Sequence, residues 1–352
     1  MMCAAGEGDV SVEKPTLDKF PKEVLAQIDI QKAFIVSRLV VAAERLQVFR
    51  KLHGKRIKAY SIGRALKIHK FYLKPFLNSL VSLGLLHKTG ETYRNTGFAE
   101  KYFIDERSTY WTRQYSKECV QAYEALTVLE KVLGSGRGYE SIKRLKKPSY
   151  TGAMRRDRRL AEDFTQMLFH FHRDDAEALA NYLDLSEHRE VLDVGGGSGV
   201  MSIALAKKNS HLRACVLDIA AVCRVAARNI TRAGLTGRIR TLPGDIRHRL
   251  PLGYDVIMFC DVGPVSKQLL RNAFRSLPTG GLVVVVDRYL SEDGTKPLDR
   301  VVEHFVGSSF GLATRADMVD AVRSCGFHAV KARNVYRDVW FITGTKAGKR
   351  MD

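Results

Sequence analysis

The sequence has no apolar run near the length of about 20 residues that a membrane-spanning helix requires. Its longest β-like apolar run is only Leu282 to Val286. The N-terminal segment MMCAAGEGDVSVEKP shows no basic flank followed by an apolar stretch, so no secretory leader is expected. Cysteine is sparse. The six cysteines, at 3, 119, 215, 223, 260 and 325, form no CxxC pair and offer neither a zinc site nor a disulfide framework. This predicts a reducing, cytoplasmic setting and no bound metal. Acidic residues are missing from Arg50 to Lys74, where nine residues are basic. A second basic cluster runs from Lys143 to Arg159, and the formal net charge is +19. A solvated basic surface, nucleic acid and an anionic substrate all fit that excess. The clusters carry few interleaved aromatics and no RNA-binding signature, which ranks nucleic acid below the other two.

What is present is an ordinary globular composition, 45% hydrophobic and 27% charged, in 352 residues. That is room for roughly two domains at about 150 residues each. From Phe20 to Leu52 the apolar residues recur at helical spacing and predict two helices. Ser61 can cap a helix in SIGRALKIH, and a second helix fits HKFYLKPFLNSLVSLGLL, closed by Gly84. His87 to Tyr93 reads as a short hairpin turning at Gly90. Helix, turn, helix and a two-stranded wing form a winged-helix pattern, which serves either DNA binding or dimerisation. The boundaries predicted are 1–105 for this domain, 106–188 for a helical connector that contributes to a substrate pocket, and 189–352 for an α/β domain.

From Arg189 onward, EVLDV, LRACVLDI, RIRTLPG, YDVIMFC and GLVVVVD alternate with helices at 200–208, 220–233 and 265–277. Alternation of this kind predicts a doubly wound, Rossmann-like α/β fold with a parallel sheet. FHAVKARNV and VWFITGTK read as a closing hairpin, making seven strands with the last antiparallel at the sheet edge.

The strongest motif is VLDVGGGSG, Val191 to Gly199, between a buried strand and a helix. Gly195, Gly197 and Gly199 allow a tight turn and close approach of a ligand to the backbone. A dinucleotide fingerprint would place glycine where Val200 stands, and no Walker lysine follows. Asp193 would repel a pyrophosphate but suits a cationic amino group. Asp218, at the end of the second strand, can accept hydrogen bonds from ribose hydroxyls. Asp245 can reach an adenine amino group, with Ile246 packed on the ring. Ile219 and Phe259 complete the candidate cofactor-binding set. Amino acid, ribose and adenine together describe S-adenosyl-L-methionine.

On these motifs the chain resembles the class I S-adenosylmethionine-dependent methyltransferases. More narrowly it resembles the plant and bacterial small-molecule O-methyltransferases related to caffeate and hydroxyindole O-methyltransferases. YLKPFLNSLVSLGLLHKTGETYRNT, FTQM, LDVGGGSG, VLDI, PGDI and TRADMVDAVRSCGF carry the likeness over nearly the whole chain. The resemblance implies methylation of a small molecule in secondary metabolism and a homodimer formed through the N-terminal domain. It also implies a His-Asp-Trp motif after the fourth strand, with the histidine as base. Here that segment reads FCDVGPVSKQLL and holds no histidine. Asp261, beside Cys260, is the nearest titratable group. Of the family's two flanking glutamates, one falls near Asp287 and the other near Leu312.

Met167, His170 and His172 match a helix that faces cofactor and substrate in the family. His170 and His172 point to different faces, so at most one is expected in the pocket. His304 lies on a segment that lines the acceptor pocket in relatives. Asp261 and His304 are therefore the candidate catalytic residues, each with a plain structural role as the alternative. The activated sulfonium donor also allows catalysis mainly by proximity, on oxygen, carbon or nitrogen. Three further readings stay open. They are an enzyme of this fold with a non-methyl-transfer reaction, an RNA or protein methyltransferase, and a regulator that senses the cofactor.

Overall fold

The computed structural model describes residues 22–104, 120, 122–143, 150–263, 265–298, 300, 313–336 and 339–347. The chain forms two compact units, Met1–Cys119 and Val120–Asp352. The helices of the connector segment fall within the second.

In the first unit a helix Lys22–Arg45 is followed by a short helix Val48–Leu52, then by helices Ala59–Leu66 and Lys70–Ser82. Leu73, Leu77 and Leu80 recur at helical spacing on the buried face of the last of these. The helix Ala59–Leu66 begins two residues before Ser61, with Lys58 at its N-cap and no side-chain cap. Ser61 is therefore an exposed residue inside the helix, not its cap. Strand β1 (Ile57–Lys58) and the hairpin β2 (Leu86–Thr89) and β3 (Thr92–Asn95) form a three-stranded sheet in the order β1-β3-β2. Gly90 turns the hairpin at φ +57°.

The second unit is built on seven strands: β4 (Glu190–Val194), β5 (Arg213–Asp218), β6 (Ile239–Pro243), β7 (Val256–Cys260), β8 (Leu282–Arg288), β9 (Phe327–Tyr336) and β10 (Val339–Lys346). Their order is β6-β5-β4-β7-β8-β10-β9. The first five are parallel, and β10 runs antiparallel to both neighbours. The expected antiparallel strand exists but does not lie at the edge. The helix Arg315–Ser324 carries the chain beyond β8, and the hairpin returns β10 into the gap, leaving β9 outermost. β7 is buried at every position because helices cover both faces of the sheet. Val256, Met258 and Cys260 join one core, while Ile257 and Phe259 join the other. Chain order reverses between β4 and β7, which opens a crevice at the carboxyl ends of those strands.

Candidate active site

The loop leaving β4 is shaped by its glycines. Gly195 and Gly197 take φ of +69° and +54°, a region that L side chains avoid. The Gly195 amide donates to the Leu217 carbonyl at 2.7 Å, tying the loop to β5. A Cβ on Gly195 would stand 2.6 Å from Val262 Cγ1, so the loops after β4 and β7 approach closely. At Gly197 the nearest atom to such a Cβ is 3.8 Å away. That position faces open space at the mouth of the crevice, as a cofactor cradle requires.

Asp218 pins this cradle. Its carboxylate accepts the Gly197 amide at 3.0 Å and the Ile219 amide at 2.7 Å. Burial pushes its pKa up, against those two backbone donors. The oxygens retain lone pairs at the strand end beside the open Gly197 position, so the residues present fit the ribose of S-adenosylmethionine.

Asp193 is fully buried. One oxygen accepts from Ser202 Oγ at 2.7 Å, and the other, Oδ1, is buried without a partner. Burial raises its pKa to about 7, against the Ser202 bond. A Cβ on Gly196 would stand 2.5 Å from the Asp193 carboxyl carbon. Asp193 is thus a post under the glycine loop, and Gly196 and Ser202 belong to the site although neither was singled out from sequence. Glycine's lack of a side chain three residues after a strand-end acid was the signal for Gly196.

Phe259 is completely buried, turned by the period-2 alternation of β7 into the core that Ile257 also joins. Ile219 packs with Met154, Ala161, Ala221 and Val222, linking the connector helices to the cofactor side of the sheet. Asp245 is held well below the usual carboxylate range by a bidentate hydrogen bond from Arg247, at 2.9 Å to Oδ1 and 2.5 Å to Oδ2. Its carboxylate is therefore already engaged. Ile246 sits partly buried near Gly195.

Beside the carboxyl end of β7 the structure joins residues that the sequence left apart. The helix Arg158–Phe171 ends at His172, where a second helix, Arg173–Tyr182, begins. At this corner His172 Nδ1 meets Asp175 Oδ2 at 2.9 Å. His172 Nε2 meets Asp261 Oδ2 at 3.0 Å. Burial alone would lower the His172 pKa. The two carboxylates outweigh that and raise it to about 9. Both ring nitrogens then donate, and His172 is an imidazolium. Asp261 itself has φ +50°, an uncommon value for a residue other than glycine. Its amide donates to Val286 O at 2.9 Å, which helps to hold it there. The Asp261 side chain is 32% exposed, against 13% for His172, so Asp261 presents the accessible face of the pair.

Asp287 forms a buried ion pair with Arg300 at 2.7 Å. Burial, then the nearby Asp261 charge, lift its pKa to about 6 against Arg300. His170 lies 3.4 Å from Gln166 and Met167 is buried, so of the two histidines His172 is the one that reaches Asp261. Asp175 went unnoticed in the sequence although it stands three residues after His172, a spacing that pairs side chains across one helical turn. His304 and Leu312 lie outside the described residues. Among the described residues no group of three or more His, Cys, Asp or Glu is arranged to hold a metal ion.

With this geometry in place, comparison with known proteins is informative. The O-methyltransferase domain model matches residues 136–311. The chain is 27% identical over 316 residues to the 3-hydroxy-5-methyl-1-naphthoate 3-O-methyltransferase of Streptomyces sahachiroi, covering 86% of this chain and 89% of that protein. It is 37% identical over 126 residues to the L-tyrosine C(3)-methyltransferase of Streptomyces lavendulae, covering 34% of each. The solved structure of PigF with SAH superposes with a TM-score of 0.80 at 20% identity, over 93% of this chain and 100% of that one. The glycine cradle, the Asp218 anchor and the matched domain agree: the chain belongs to the O-methyltransferase domain family and is an S-adenosylmethionine-dependent methyltransferase.

Proposed function

We propose that the enzyme methylates a small phenol-bearing molecule, at the hydroxyl oxygen or at a ring carbon activated by it. The observation that carries the acceptor side is the exposed carboxylate of Asp261, held from behind by His172. Both relatives named above act, by their names, on hydroxylated aromatic compounds. S-adenosylmethionine, when bound, supplies an activated methyl group on a sulfonium. Gly195, Gly197 and Asp218 would hold its amino-acid and ribose parts, with Ile246 beside the loop. Asp245 would reach the adenine after exchanging Arg247 for it. Asp261 accepts a hydrogen bond from the acceptor hydroxyl and orients it. His172, fixed by Asp175, holds that carboxylate in place. Catalysis then rests on proximity and orientation with a contribution from Asp261.

The first unit is read as a winged-helix domain that forms a homodimer. Phe34, Ile35, Val36 and Leu46 stand 40–54% exposed along one stretch, and such a patch favours burial against a partner. The four described cysteines are unpaired and buried, which supports a reducing compartment. The test is incubation of the purified enzyme with labelled S-adenosylmethionine and a panel of hydroxylated aromatics. Label in product with equimolar S-adenosylhomocysteine supports the reading. Acceptor turnover without S-adenosylhomocysteine would overturn it in favour of another reaction.

A further inference from the structure

The methyl-transfer site makes no use of the acid-free basic stretch in the first unit. From Arg45 to Gly90 there are eleven lysines and arginines and no acidic residue. All eleven are exposed. Among the described residues one of them, Lys74, pairs with a carboxylate, Glu91 at 2.8 Å. The other ten have no acidic partner there. Exposed cations gather counterions, and a polyanion that binds there releases them.

The stretch is not a featureless charged coil. Helices Ala59–Leu66 and Lys70–Ser82 are joined by a three-residue turn. The second buries Leu73, Leu77 and Leu80 and turns Lys70, Phe71, Lys74 and Pro75 to solvent. The Lys74–Glu91 pair and the Ala59 amide bond to Glu91 O, at 2.9 Å, tie the β2–β3 hairpin beside these helices. The aromatics that seemed few along the sequence are presented together with the charge: Tyr60, Phe71 and Tyr72 are 71%, 73% and 64% exposed. A helix about 10–12 Å across matches a DNA major groove about 12 Å wide. Cations on the turn and wing would meet flanking phosphates. A membrane surface would ask for a continuous apolar stripe, whereas these three rings are interrupted by cations.

We propose that this helix–turn–helix face binds double-stranded DNA. Affinity would come from phosphate contacts by Lys58, Arg64 and Lys70, with Phe71 and Tyr72 packing on the groove. This binding is independent of methyl transfer.

Fluorescence anisotropy of the full-length protein with a labelled duplex of about 20 base pairs, across a salt series, reads it directly. Lys58→Ala/Arg64→Ala/Lys70→Ala should weaken binding at least about tenfold and reduce the log–log salt slope by about two to three. Arg155→Ala/Arg156→Ala/Lys207→Ala, which removes equal charge from the second unit, should leave the slope unchanged. Phe71→Ala should weaken binding without changing the slope. Circular dichroism and retained S-adenosylmethionine binding confirm that each variant is folded. Equal losses in both triple variants, or no binding by the parent protein at about 100 mM salt, would overturn the proposal. So would tighter binding to vesicles of equal phosphatidylserine and phosphatidylcholine, or to single-stranded RNA, than to the duplex.

Discussion

His172 and Asp261 are 89 residues apart in the chain and 3.0 Å apart between Nε2 and Oδ2. One stands at a corner between two connector helices, the other at the carboxyl end of β7 in a left-handed conformation. Asp175 holds the far side of the ring. A histidine that the segment after β7 lacks is thus supplied from another element. It arrives protonated, as a support for the carboxylate and not as a proton acceptor.

This relationship has a kinetic signature. Asp261→Asn is expected to slow single-turnover methyl transfer by about 10- to 100-fold, at the low end of general acid–base and orienting contributions. The wild type should show an alkaline limb near pH 9, where His172 loses its proton. His172→Gln should lose that limb. A pH profile identical in the two proteins would remove His172 from the site.

The same pair makes a stability prediction. The folded pKa of His172, about 9, lies above its unfolded value near 6.5. Its contribution is therefore complete below about pH 6.5 and fades as pH rises through about 9. The full difference is at most about 3 kcal/mol. Urea unfolding of wild type and His172→Gln should diverge most below pH 6.5 and converge above 9.

Asp193 carries the opposite consequence for a carboxylate. Burial raises its pKa to about 7 from an unfolded value near 3.8. Stability from the neutral form is complete below about pH 3.8 and is lost as pH rises through 7. Asp193→Asn, neutral throughout, should unfold at a higher temperature than wild type at pH 8, with the gap closing toward pH 5. Calorimetry at the two pH values checks the sign.

Two neighbouring glycines should fail in different ways. Gly196→Ala drives a Cβ to 2.5 Å from the Asp193 carboxyl group and should destabilise the fold by about 1–3 kcal/mol. Gly197→Val meets no protein atom within 3.4 Å at its Cβ. Its cost to the fold is backbone strain of about 1–2 kcal/mol. It should remain folded but lose S-adenosylmethionine binding, read by titration calorimetry. Unchanged affinity would place the cofactor elsewhere.

Asp218→Ala removes the acceptor of the Gly197 and Ile219 amides. Charged-group hydrogen bonds contribute about 1.5–3 kcal/mol each, so S-adenosylmethionine affinity should fall by at least about tenfold. Equal calorimetric affinities in the two proteins would contradict the assignment.

The sequence by itself determined the architecture and the cofactor. Alternating strand and helix periods, a glycine loop after a buried strand and Asp218 at the next strand end are local features, each written in neighbouring residues. The hairpin at Gly90 and the helices after β4 and β5 were legible for the same reason. Local pattern could not assign direction of burial. The strand positions of Asp193 and Phe259 were legible, but that both side chains are fully buried was not, because burial depends on which helices cover each face. It also could not order the last two strands, since a hairpin that inserts and one that extends the edge share one sequence pattern. Tertiary structure alone decided the pairing of His172 with Asp261. Long-range packing of the connector helices against the sheet brings His172 and Asp175 to Asp261, and no spacing rule spans the 89 residues between His172 and Asp261. Packing also turned Gly196 from an unremarked residue into a requirement, because only the folded loop lays it against the Asp193 carboxylate.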